Sequence, residues 1–211
     1  MFQTSAINIE QSHSAMLRAS RVGLYRCGIC FACVTFSQNS GRAFERFGRE
    51  FLMPNHDARA IANEFLRRRG SDSWPQQLSI QKLTYIAHGW NLAINGEPLV
   101  EELPQAWDNG PVFRSIWDHI KDYGYRGQNC TLVDPLTKEE IRESLTPQEE
   151  AIIDHVWRKY GGKSSAELSN MTHKVGTPWY KAYFGGSRNS RLSNDEIRQH
   201  YVELALAGRA Q

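Results

Sequence analysis

The sequence predicts a mainly α fold: a single compact helical domain of about six to seven helices, with at most a small β-hairpin or short strands. Three observations carry this. Apolar residues recur at helical spacing in LSIQKLTYIAHGWNLAI, residues 78–94. Thr146 with Glu149, Ser164 with Glu167 and Ser193 with Glu196 each have the spacing of a capping box. Gly70, Gly96, Gly124 and Gly161 stand just beyond periodic segments, where helices end.

The elements follow in order. Asp57 opens a helix that turns Ala58, Ile61, Ala62, Phe65 and Leu66 inward and closes at Gly70; Ser71 to Pro75 form a turn. The central helix takes Ser79 as its N-cap and carries Leu83, Ile86, Ala87, Trp90 and Ile94 as one apolar stripe, with Asn95-Gly96 as its stop. An irregular connection from Gly96 to Gly110 contains ELPQAW, a segment of strand character, and Pro111 takes the first position of the next helix. Phe113, Ile116, Trp117 and Ile120 form that helix's stripe. A loop or small hairpin over 125–136 and a short helix over Lys138 to Leu145 lead to the Thr146 box, after which Ile152, Ile153, Val156, Trp157 and Tyr160 face inward. Leu192 and Ile197 staple the last helix, Asn194 to about Ala207.

Residues 1–52 differ in character, with weak periodicity and three of the four cysteines, and read as a poorly ordered extension or as sequence upstream of a wrongly chosen start codon. Residues 53–211 read as the helical domain. Of the chain's 25 basic and 23 acidic residues, 1–52 hold six and three, so 53–211 are nearly neutral. That excludes the broad basic field of a sequence-independent nucleic-acid binder. Arg67, Arg68 and Arg69 stand at a helix end, where cations complement the dipole. No apolar run approaches the length of a membrane span. GICFACVTF at 28–36 is short and lacks a small-residue cleavage site, so the expected location is cytoplasmic.

Catalytic and metal motifs are sparse. Cys27, Cys30 and Cys33 make a CxxCxxC run without the fourth thiolate of an iron–sulfur site, and Cys130 is remote. There is no HExxH, P-loop, GxGxxG turn or nucleophile elbow; His119, His155 and His200 read as surface or capping groups. The expectation is a protein that is not an enzyme and uses no cofactor or metal.

Polar groups in three segments stand out instead. The central helix carries Gln81, Lys82, Tyr85 and His88 off its apolar stripe, with Gly89 open to close approach. These groups either solvate an exposed face, with Gly89 admitting a neighbouring helix, or serve recognition. AWDNGPV, residues 106–112, sets Trp107 before a Gly110-Pro111 helix start with free amides. MTHKVGTPWYKAYF, residues 171–184, places Thr172-His173 near one helix end and Pro178-Trp179 at the next start. Trp107, Trp179, Tyr85 and His173 form either an aromatic core with satisfied polar tips or a recognition surface.

Together QKLTYIAHGW, AWDNGPV and ELxxMTH followed by TPW resemble the Panacea domain, the SocA-like antitoxin family that includes phage-associated GepA-like proteins. The resemblance runs from about Asp57 to Tyr201; Thr84, Ile86 and His88 depart from the family's usual Leu, Tyr and Gln. It implies an antitoxin that neutralises a neighbouring toxin by direct protein–protein binding, or alternatively an adaptor delivering a toxin or phage-related partner to a bacterial protease. Its partners would be a cognate toxin and, for the adaptor, a protease, with no membrane and no nucleic acid. It implies a partner-binding or family-defining cluster of Gln81, Lys82, Tyr85, His88, Trp90, Trp107, Gly110, Pro111, Thr172, His173, Pro178 and Trp179. Of these, Trp90 is expected in the core.

Overall fold

The computed structural model describes residues 56–70, 76–127 and 130–209. The expected extension, the CxxCxxC run, the Met53-Pro54 start and the Ser71–Pro75 turn lie outside the described residues. Within them the fold is mainly α, with helices α1 Ala58–Arg69, α2 Gln77–Ile94, α3 Arg114–Tyr123, α4 Pro147–Tyr160, α5 Ser165–Thr172, α6 Pro178–Gly185 and α7 Asn194–Arg209. Strands β1 Gln105–Trp107 and β2 Gly110–Val112 form one antiparallel hairpin, with Ala106 opposite Pro111. No helix among the described residues is long and apolar enough to cross a membrane.

Helix α2 is the axis of the domain, and α1, α4, α5, α7 and β2 all pack against it. This corrects the exposed-face reading of its polar side, for Gln81, Lys82, Thr84, Tyr85, His88 and Asn91 are as buried as Leu83 and Ile86. A helix buried on all sides is ordinarily apolar all round. Here most of the polar side chains instead find partners inside the protein, which offsets the desolvation of each. Ile94, at the end of the expected stripe, is 60% exposed because the helix emerges from its neighbours there. Ser79 is not the N-cap: the helix starts at Gln77, after Gln76, with no side-chain cap bond. Gly96 supplies the expected left-handed residue at φ 81°.

Three other expectations change. Pro111 lies in β2 and the helix begins three residues later, because Gln81 clamps the intervening Phe113: its Oε1 accepts the Phe113 amide at 2.8 Å and its Nε2 donates to the Phe113 carbonyl at 3.0 Å. The segment Lys138 to Leu145 is not helical; Val133 bridges Glu140 in a small antiparallel turn. Buried Asn63 of α1 holds this turn, accepting from the Leu132 amide and donating to the Leu132 and Ile141 carbonyls at 2.7 to 2.8 Å. His119 is buried on α3 against the Tyr123 ring rather than at the surface.

The capping boxes at Thr146–Glu149 and Ser164–Glu167 close in both directions. At the third, Ser193 Oγ accepts from the Asp195 amide at 3.2 Å, and Leu192 and Ile197 are fully buried. The arginines ending α1 are structural, with Arg67 joining Glu64 and Glu140, and Arg68 joining Glu64 and Asp154.

Candidate functional site

The segments singled out in the sequence meet beside α2. Lys82 is completely buried, and its Nζ donates to the Pro111 carbonyl at 3.2 Å. The hairpin comes this close because residue 110 has no side chain: a Cβ there would lie 2.5 Å from Lys82 Cε and 3.1 Å from Thr172 Oγ1, and its φ of 103° is one only glycine adopts easily. Burial pushes the Lys82 amine down from 10.5 to about 7.

His173 ends α5 and is tilted against the Trp179 ring at a centroid separation of 3.9 Å. Burial, with the Lys82 charge added, holds its imidazole below the ordinary histidine range. Pro178 and Trp179 open α6, whose N-cap Thr177 accepts from the Tyr180 amide and donates to the Thr172 carbonyl. Trp179 Nε1 donates to the Trp107 carbonyl at 2.9 Å, which joins α6 to the hairpin. Thus Lys82, Trp107, Gly110, Pro111, Thr172, His173, Pro178 and Trp179 form one connected assembly.

The remaining expected members lie elsewhere along α2. Gln81 is the Phe113 clamp. His88 accepts the Val100 amide at Nδ1, so its neutral ring carries the proton on Nε2, 2.9 Å from Asn194 Oδ1. Burial lowers its pKa to about 4. Tyr85 and Trp90 flank Tyr201 of α7, with ring centroids 6.2 and 5.3 Å away. Trp90 is a core residue, as expected.

The helix-start amides expected to be free are used: Glu102 accepts from the Arg114 amide at 2.8 Å and the Ser115 amide at 3.1 Å. Tyr183 escaped sequence reasoning, although it stands one turn after Trp179. Its ring stacks on Trp179 at 4.7 Å and its hydroxyl donates to Asp108 at 2.9 Å. Also missed was His56, whose ring nitrogens face Glu143 at 2.6 Å and Glu149 at 3.2 Å. Among the described residues no group of His, Cys, Asp and Glu is arranged to hold a metal ion.

On the outer side of the hairpin, Leu78, Trp107, Val112, Trp117 and Arg188 border a cleft of about 270 Å³. The two indoles meet edge to face at 5.3 Å.

Fold and site define a class: a helical domain strung on a buried polar helix, with a hairpin and an aromatic helix locked to one side of it. The family model for the antitoxin SocA-like, Panacea domain matches residues 80–180, a span holding all three sequence blocks. Antitoxin SocA of Caulobacter vibrioides is 31% identical over 132 residues, 58% of this chain and 68% of that protein. No solved structure matches the chain. The chain belongs to the antitoxin SocA-like, Panacea-domain family, and this membership supports an antitoxin role in general terms.

Proposed function

We propose that this chain is the antitoxin of a toxin–antitoxin pair and neutralises a cognate toxin by direct protein–protein binding in the cytoplasm. The observation that carries the reading is its 31% identity, across more than two thirds of that protein, to a relative named an antitoxin. The site agrees with it. Lys82, Gln81 and His88 are engaged in bonds that hold the hairpin, the start of α3 and the start of α7 to α2, so they serve to fix the fold rather than to turn over a substrate. The chain then acts stoichiometrically, without catalysis, cofactor or metal, and presents a preorganised surface whose ordering entropy is spent in folding rather than on binding.

The test is a growth assay. The product of the adjacent reading frame is expressed alone and then with this protein, and the two are co-purified. Toxicity that this chain relieves, with a stable complex, is expected. A toxic neighbour that it neither relieves nor binds overturns the reading. If relief disappears when a host protease is deleted while the complex persists, the protein acts as an adaptor for degradation rather than as a blocking partner.

A further inference from the structure

The cleft beside the hairpin and the helix next to it share properties that the fold does not use. Leu78, Trp107, Val112 and Trp117 give the cleft apolar walls, and its volume of about 270 Å³ falls below the ~300–1,000 Å³ of small-molecule pockets. It suits one large side chain inserted by a partner, the arrangement of an interface anchor. Aromatic surface continues around the corner: Tyr183, tied to Asp108 of the hairpin turn, contacts Phe184 at 5.1 Å, and Phe184 packs on Tyr180 at 4.6 Å while remaining 65% exposed.

The segment that carries α6 is basic, although Asp108 faces Arg188 on this cleft and Arg191 lies toward Asp57, Glu101 and Glu102 in another. Between Glu167 and Asp195 the chain has no acidic residue, but it has Lys174, Lys181, Arg188 and Arg191, all exposed. Among the described residues Lys174, Lys181 and Arg191 take part in no ion pair, and Arg188 reaches only Asp108, at a loose 3.7 Å. Arg188 stands on the rim of the cleft itself. The backbone beneath is fixed by the Trp179 bond to the Trp107 carbonyl and by the stacking of Tyr183 on Trp179.

We propose that this cleft and the rim of α6 form the face that grips the toxin, and that the toxin offers an acidic segment bearing one large apolar side chain. The apolar side chain enters the cleft over the paired rings of Trp107 and Trp117, and carboxylates beside it meet Arg188 on the rim and Lys181 of α6. The inference rests on the antitoxin reading for the identity of the partner; the chemistry of the face stands on its own residues. A nucleic acid fits less well, since a phosphate track needs a continuous basic field and, among the described residues, Arg188 is the only cation lining the cleft.

The test uses the full-length protein and its Leu78→Glu, Arg188→Glu and Leu136→Glu forms, all at exposed positions, the last on the Val133–Glu140 turn and outside the cleft. Each is titrated with the adjacent reading frame's product. Each is also titrated with a short labelled peptide rich in Asp and Glu around a Phe-Leu pair, with the same peptide carrying Lys for each acid, and with a short oligothymidine. The unmodified protein and Leu136→Glu are expected to bind the toxin and the acidic peptide equally. Leu78→Glu and Arg188→Glu, with unchanged melting, are expected to weaken both about tenfold or more. If those two variants bind and neutralise the toxin like the unmodified protein, the face is wrong and the antitoxin reading survives. If the neighbour is neither toxic nor bound, the antitoxin reading fails and the peptides still decide the face. Acidic-peptide binding that Arg188→Glu abolishes upholds it. No peptide binding, or a preference for the basic peptide or oligothymidine, overturns it.

Discussion

The ring of Tyr201 occupies the space where a side chain on residue 89 would begin: a Cβ there would lie 2.2 Å from Tyr201 Cε2 and 2.6 Å from Cζ. Gly89 therefore sets how closely α7 approaches α2, and Tyr201, fully buried, fills that contact with Tyr85 and Trp90 on either side. The helix gives up roughly 1 kcal/mol of local stability at this glycine, and the close packing of α7 offsets it.

Gly89→Ala is accordingly expected to destabilise the protein by about 1–3 kcal/mol, although alanine is the better helix former, because a buried ring must move. Urea unfolding measures it. Paired with Tyr201→Ala, the same substitution is expected to become nearly neutral or stabilising. A stabilised single variant would show that α7 does not pack as described.

Lys82 gives stability an alkaline signature. Its folded-state pKa of about 7 lies below the usual 10.5, so the unfolded chain binds more protons between those values. The contribution is complete above 10.5 and is lost as pH falls toward 7. Buried Tyr85 and Tyr201 are pushed up from 10.0, and their contribution is lost as pH rises above that value. Stability is expected to climb from about pH 7 to 9.5. In Lys82→Met, which leaves no amine to desolvate, the climb flattens. A climb of equal slope in both proteins would refute the assignment.

The acid limb belongs in part to His88. Its folded-state value of about 4 lies below the usual 6.5, so stability present above 6.5 is lost as pH falls through 4. The groups facing its ring are the Val100 amide, Asn194 and the Phe113 ring, none of them charged. His119, His155, His173 and His200 are also lowered, chiefly by burial, so the total slope is shared. The difference between the parent and His88→Gln isolates this residue. It is expected to shrink steadily from pH 6.5 to 4, measured by thermal melting. A constant difference would remove His88 from the acid limb.

Two tryptophans are expected to respond differently to the same change. Trp90 Nε1 is buried with no hydrogen-bond partner among the described residues, whereas Trp179 Nε1 donates to Trp107. Trp90→Phe should cost under about 1.5 kcal/mol, and Trp90→Ala about 3–5 kcal/mol through the cavity it leaves. Trp179→Phe should cost about 1–3 kcal/mol, because it strands the Trp107 carbonyl, and should loosen the hairpin. Chemical denaturation ranks them; Trp179→Phe milder than Trp90→Phe would contradict the bonding pattern.

Much of this was legible in the sequence because it depends on neighbours along the chain. Asp57, Thr146 and Ser164 cap the helices that follow them by bonds spanning two or three residues, and Gly70 and Gly124 end helices through their own backbone freedom. The mainly α class follows from that local chemistry and from the apolar period. The same locality explains the errors. A glutamine 32 positions away claims the Phe113 amide and carbonyl, which moves the helix start from Pro111 to Arg114, and Asn63 holds the 132–141 segment in a turn from 69 and 78 positions away. Only tertiary structure decides whether a polar residue on a helix meets water or protein. Gln81, Lys82 and His88 have the residue types of a solvated face, yet each finds a partner on an element that the chain delivers later: Phe113, Pro111 and Asn194. Burial of a polar side chain is a property of the pair, and one sequence position carries only half of it.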